Sequence, residues 1–278
     1  NFDAPFLIGA SPSPGSPKLT KEHFNGFIEE VRIWQTPISP DQIRFFMNQR
    51  LQQSGSKVEG EILTQDLNIT NAPALPDFNN LVGYYQLLAI ENLIASGKTP
   101  NIGAVGSSAD AFLRNIQLMQ ENTAPLPYIS NNNGAWNIMN TWLHPDVWDA
   151  PNSKGINGEN INWNIVITEH DITSSNRNIS LLGLLSESGE LKMEGTVDMN
   201  NGRGSGNGLS ISHYLRINGI IDLDGESQLI QTEGSILDEA SSGYVDVDQQ
   251  GTANSFNYNY WTSPVSLTGQ SNNSGYSV

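Results

Sequence analysis

The sequence predicts an all-β chain whose C-terminal half winds short strands into a β-solenoid, or β-helix-like, region. Three observations predict this. From Ile161 onward, short runs alternate apolar and polar residues, as half-buried strands do. Most runs span only three to six residues, and no helical pattern separates them. The corners between them are rich in Asn and Gly, of which the chain holds 32 and 26. An antiparallel sandwich also fits short alternating strands. The very short runs and dense corners favour stacked coils, in which inward residues pile coil on coil, although no strict period is visible.

In chain order, Phe6-Leu-Ile-Gly9 reads as a short strand, and Ser11 to Pro17 as a Pro/Ser/Gly turn region without regular structure. Residues 24–34 alternate, with Phe27, Glu29, Val31 and Ile33 on one side and Ile28, Glu30, Arg32 and Trp34 on the other. A helix start follows: Ser39 as N-cap, Pro40 at the first helical position and Asp41 in the first turn. Ile43, Phe46, Met47 and Leu51 give that helix an apolar face, and its end is expected near residues 52–55. Residues 54–133 read as a connector with one strand at 81–88. Within residues 134–261, the runs at 161–167, 179–185, 191–193, 197–199, 209–217, 220–223, 229–230, 236–237 and 244–247 are the solenoid strands. Residues 262–278 read as a truncated C-terminal extension.

Composition excludes several function classes. The absence of cysteine removes a disulfide framework, a zinc ribbon, a thiol nucleophile and thiolate-held iron–sulfur clusters. A net charge of −16, from 13 Lys+Arg against 29 Asp+Glu, argues against nucleic acid as a partner. No apolar run approaches the roughly 20 residues needed to cross a bilayer, so membrane insertion is not expected. The charge is uneven: residues 131–278 carry a net −12, and the last basic residue is Arg216. No initiator Met or leader is present, and both ends look interrupted, so a piece of a longer protein is expected.

Two resemblances add to this. Phe6-Leu-Ile-Gly9, then Phe24-Asn-Gly-Phe-Ile-Glu-Glu-Val-Arg-Ile-Trp34, then Ser39-Pro-Asp-Gln-Ile43 with Met47 resemble the end of a laminin-G-like (concanavalin-like) jelly roll. The resemblance implies that residues 1–53 are the C-terminal portion of such a domain, with unpaired edges that dock elsewhere in the assembly. The rest resembles regions of large surface proteins of Bacteroidetes. The residues that carry this include Gln120-Glu-Asn-Thr-Ala-Pro-Leu-Pro-Tyr128, Gly225-Glu-Ser-Gln-Leu-Ile-Gln231 and, most specifically, Tyr258-Asn-Tyr-Trp-Thr-Ser-Pro-Val265. Proteins of that kind look like type IX secretion substrates, often adhesive, which implies an extracellular or cell-surface address.

Two groups of residues are candidates for chemistry. Asp222, Asp224 and Glu226 share one face of a strand at i, i+2 and i+4. Paired carboxylates serve glycosidases, and alternating oxygens with a Gly turn suit calcium, the one cofactor the sequence suggests. Asp246 and Asp248 repeat the pattern, yet no base or electrophile lies nearby in sequence, and a solvated acidic coat is the favoured reading of these residues. The histidines, 23, 144, 170 and 213, are scattered and match no metal motif. Trp136, Trp142, Trp148 and Trp163 fall within 28 residues, and exposed members of this cluster, Trp136, Trp142 and Trp148 first, would form a platform for sugar rings; the competing reading is that the Trp136–Trp148 stretch caps the open end of the solenoid core. Tyr258–Trp261 would stack on the last coil. The expected function is a non-enzymatic structural or adhesive segment of a large secreted or surface protein. Its expected partners are neighbouring domains of the same polypeptide or assembly and surface polysaccharide. The alternative is a carbohydrate-binding module of a polysaccharide-degrading protein.

Overall fold

The alternating runs fold as strands, and the chain is predominantly β, with nineteen strands and one α-helix among the described residues. The computed structural model describes residues 6–64, 74–87, 97–114, 122–198, 204–248, 251 and 256. The tyrosines and tryptophan of 258–261 lie outside these residues, as does the extension 262–278. No helix among the described residues is long and apolar enough to cross a membrane.

The N-terminal part departs from the sequence expectation in several places. Residues 11–17 are not an irregular turn: β1 (Ser11–Ser13) and β2 (Ser16–Lys21) form an antiparallel hairpin. Pro12 is tolerated because β1 has a partner on one side only, so its missing N–H breaks no ladder. Gly15, at φ +77°, makes the turn. Residues 6–9, expected as a strand, are not one. The long alternating run at 24–34 yields only β3 (Val31–Trp34), because Glu30 sits at φ +54° and breaks the extended backbone just before it.

Helix α1 (Pro40–Met47) starts as predicted, and Ser39 and Gln42 form a reciprocal capping box. It ends earlier than predicted, at the C-cap Asn48, and buries Phe45 and Phe46, whereas Ile43 and Met47 are exposed. Gln49 accounts for the early stop. Its buried side-chain amide donates to Phe45 O and its carbonyl oxygen accepts from the N–H groups of Ile62 and Leu63, so the chain leaves the helix there. The stretch read as a connector with one strand holds more. β4 (Leu51–Ser54) and β5 (Lys57–Gly60) form a hairpin, β6 (Leu81–Tyr85) pairs antiparallel with β3, and β7 (Lys98–Thr99) pairs with β8 (Ala111–Phe112).

From Tyr128 the chain winds. β9 (Tyr128–Ile129), β11 (Ile165–Thr168), β13 (Ile179–Ser186), β15 (Gly208–Ile217) and β17 (Gln228–Gln231) lie side by side in one sheet, with β18 (Ile236–Leu237) also pairing with β15. The strands that alternate with them, β10 (Gly134–Ala135), β12 (Ile172–Thr173), β14 (Glu190–Met193), β16 (Ile220–Leu223) and β19 (Tyr244–Val247), form a second sheet. Every pairing in both sheets is parallel, unlike that of an antiparallel sandwich. Among the predicted solenoid strands, the run at 197–199 forms no strand at its described residues 197 and 198; there, Thr196 bridges to Ser205, and residue 199 lies outside the described set.

In-register pairing stacks like on like. Tyr128, Val166, Leu184, Leu215 and Leu237 form one inward ladder; Ile172, Leu191, Ile221 and Val245 form the facing one. Both ladders meet in a single core cluster, in which Val166, Leu184, Leu191, Leu215 and Ile221 are fully buried. The spacing along the first ladder is 38, 18, 31 and 22 residues, which is why the sequence shows no strict period. Corners from the first sheet to the second are short at 169–171, 187–189 and 218–219. The return corner takes up the variation, from 224–227 to 136–164.

The N-terminal part covers the outer face of the first sheet. Phe45, Phe46, Leu51, Val58, Leu63, Leu81 and Tyr84 pack with Ile165, Leu182, Leu185 and Tyr214 in a second buried cluster. β13 is therefore buried on both faces and reads as a nearly continuous apolar run, Ile-Ser-Leu-Leu-Gly-Leu-Leu-Ser.

Candidate functional site

The acidic residues do not form one face. Asp222 lies on the outward side of β16, in register with Lys192 on one side and Asp246 on the other. The strand ends at Leu223, and the chain turns through Gly225 at φ +62°. Adding a Cβ at Gly225 would bring it to 2.4 Å from Thr196 N, so only glycine fits. The turn carries Glu226 off the face that strict alternation assigned to it. Its Oε1 accepts from the Gly204 N–H at 2.7 Å, a tether across the corner. Asp248 likewise accepts from the Gly225 N–H at 3.0 Å.

Asp222 and Asp224 do converge, on Lys192. Its ammonium lies 2.9 Å from Asp222 Oδ2 and 2.8 Å from Asp224 Oδ2. At these two carboxylates Lys192 supplies the positive charge that a calcium ion would bring. Among the described residues no group of three or more His, Asp or Glu side chains is arranged to hold a metal. Sequence reading missed Lys192 because it stands thirty residues before Asp222, and only the stacking of one circuit on the next makes them neighbours.

The hydrogen bonds that Lys192 donates to Asp224 and Asp222 raise its pKa above the usual 10.5, so the folded state holds this proton more tightly than the unfolded chain does. The linked stabilisation is complete below pH 10.5 and is lost as pH rises through the higher folded value. A Lys192→Gln variant is therefore expected to be less stable than the parent at pH 7–9, by under about 1 kcal/mol for so exposed a pair. The gap should shrink in urea melts above pH 10.5. A gap that widens with alkalinity would refute this assignment.

The tryptophans fall into two classes. Trp136 and Trp142 are buried in the core of the wound region, 0% and 2% exposed, with their rings edge-to-face at 4.9 Å. Their indole N–H groups donate to Pro151 O and Trp136 O. They close the core at its first circuit and present no surface to a ligand. Trp148 is 41% exposed, and Trp163 is half-buried with the Arg44 guanidinium 4.8 Å from its ring centre.

Trp148 and Trp163 line a groove of about 790 Å³ where the N-terminal part meets the first circuit. The sequence motif around Glu29 builds its wall. Glu29 accepts from Thr123 N at 2.7 Å, Thr123 Oγ1 at 3.1 Å and Ala124 N at 3.1 Å, which draws residues 123–126 alongside 27–30. On the other side Asn164 Nδ2 donates to Asn48 Oδ1 at 3.0 Å. Glu30 also lines the groove, and its carboxylate is engaged in an ion pair with Arg32 at 3.0 Å and a hydrogen bond from the Tyr84 hydroxyl. Tyr128 also lines the groove; burial and the nearby Asp149 carboxylate push its phenol up to about 12, so it is a neutral donor at physiological pH. Among the described residues, neither the indole N–H of Trp148 and Trp163, the Tyr128 hydroxyl nor the Asp149 carboxylate takes part in a hydrogen bond. Trp148 and Trp163 belong to the tryptophan cluster that the sequence shows, but the roles of Tyr128 and Asp149 depend on the meeting of two distant segments.

Comparison with protein-family models, curated proteins and solved structures finds no match for the chain.

Proposed function

We propose that this chain is a non-enzymatic structural and adhesive segment of a large secreted or cell-surface protein, exported by a type IX system, in which residues 128–248 form a β-solenoid. The N-terminal residues then belong to a laminin-G-like domain, and neighbouring domains of the same polypeptide are the natural partners. The observation that carries this reading is how the carboxylates of the wound region are used. Asp222 and Asp224 are tied up by Lys192, Glu226 and Asp248 by backbone N–H groups at the corners. Glycoside cleavage needs two carboxyl groups facing a sugar from opposite sides, one of them able to give up a proton. Here the same groups staple successive circuits together. A stack so fastened, with an acidic exterior, suits a rigid spacer on a cell surface.

The purified chain should release neither reducing ends nor unsaturated products from a panel of polysaccharides, and antibodies to it should label intact producing cells. Polysaccharide cleavage that disappears in Asp222→Asn or Asp224→Asn overturns the non-enzymatic reading. Failure to label intact cells that do contain the protein overturns the surface address.

A further inference from the structure

The groove between the N-terminal part and the first circuit has more built into it than a spacer requires. In a protein interior, indole N–H and phenol groups find partners, as those of Trp136 and Trp142 do. Along the groove they open to solvent and find no partner in the described part of the protein. Trp148 N–H, Trp163 N–H and the Tyr128 hydroxyl are donors without protein acceptors among the described residues, and the Asp149 carboxylate is an acceptor without protein donors. They accompany two indole faces, one of them 41% exposed. From this juxtaposition we propose that the groove binds an uncharged saccharide chain, with Trp148 as the stacking platform, Trp163 and Tyr128 as hydroxyl-directed donors and Asp149 as the acceptor for paired hydroxyls.

The chemistry selects this occupant over others. The apolar face of a pyranose ring matches an indole, while its equatorial hydroxyls reach outward to donors and acceptors at the rim. A wholly apolar peptide would leave four polar groups of the groove desolvated and unpaired, which costs affinity. An anionic polymer would meet the exposed Asp149 carboxylate and the field of a chain with net charge −16. Lys154 also lines the groove and keeps its charge, since its partner Asn160 is neutral, but the carboxylates of Glu29, Glu30 and Asp149 on the same lining outnumber it. The volume of about 790 Å³ falls within the range of small-molecule sites. The proposal goes beyond the spacer reading and does not depend on it: a spacer stands without a ligand, and binding is read here without any cleavage.

The test is affinity electrophoresis of the whole chain in native gels containing, separately, a β-glucan, a xylan, a mannan and heparin, with an apolar-peptide array alongside. At least one neutral polysaccharide should retard the chain. Trp148→Ala, a substitution on the surface, should weaken that retardation at least tenfold with the melting temperature unchanged, and Asp149→Asn should weaken it without altering the aromatic platform. Heparin should not retard the chain. The proposal fails if no neutral polysaccharide retards it, if Trp148→Ala leaves the retardation intact, or if heparin or apolar peptides bind at the groove in place of neutral sugars.

Discussion

Replacing Arg32 by Ala is expected to lower the free energy of unfolding by about 3–5 kcal/mol, the cost of removing one partner from a buried ion pair. Arg32 and Glu30 have side chains only 13% and 9% exposed. One guanidinium spans three acceptors: Glu30 Oε2 at 3.0 Å, Phe46 O at 2.8 Å and Gln49 O at 2.7 Å. The last two are carbonyls at and just beyond the end of α1, where the helix leaves its C=O groups without internal partners. Arg32 thus ties the strand β3 to the end of the helix, and the helix presses Phe45 and Phe46 into the cluster that covers the first parallel sheet. Truncation would leave a carboxylate in low dielectric with only the Tyr84 hydroxyl and a distant Arg50, 3.8 Å away, to offset it. Arg32→Lys should recover less than half of the loss, because an ammonium on a flexible stem cannot reproduce a planar fork. Lys57→Ala provides the contrast, since the Lys57–Asp77 pair is 38% and 55% exposed and should matter by under about 1 kcal/mol. Urea melts followed by tryptophan fluorescence measure all three. An Arg32→Ala loss no larger than that of Lys57→Ala would remove this account.

That pair also shows where a sequence stops being informative. The alternation of 24–34 places Glu30 and Arg32 on the same side of one strand, and they are indeed neighbours. The alternation does not reveal that Glu30 leaves the extended region at φ +54°, since that conformation is held from outside, by Arg32, Tyr84 and Arg50. In the wound region the local signal is stronger. Leu191, Met193, Ile221 and Leu223 can be assigned as inward-facing from period two alone, and they are buried. Which strand lies beside which is a different matter. Lys192 meets Asp222 and Asp224 only because the circuit between them happens to be thirty residues long, and other circuits have other lengths. The groove lies at the far limit of legibility. Its wall rests on Glu29 reaching Thr123 across 94 residues, a contact that no local pattern encodes.

The tryptophans allow the division between structure and surface to be tested directly. Trp136→Ala is expected to cost about 3–5 kcal/mol, as deletions of fully buried large aromatics do. Its ring is fully buried, packs on Trp142 at 4.9 Å and donates to Pro151 O at 3.0 Å, so the substitution opens a cavity and orphans a buried carbonyl. Its backbone N–H also donates to Thr173 O at 2.8 Å, which sets the ring directly over the first circuits of the core. An end of a parallel stack exposes both its strand edges and the inward ladder, and something apolar must cover the ladder for the stack to persist in water. At this end Trp136 and Trp142 provide the cover. Trp148→Ala, twelve residues on, removes a ring that is 41% exposed and lies outside the core cluster, and should change stability by no more than about 0.5 kcal/mol. Paired urea melts of the two variants therefore separate the roles: a large loss for Trp136 with none for Trp148 places one in the cap and leaves the other to the groove. Equal losses would mean that the 136–148 stretch works as a single packing unit, and that Trp148 is held for the fold rather than for a ligand.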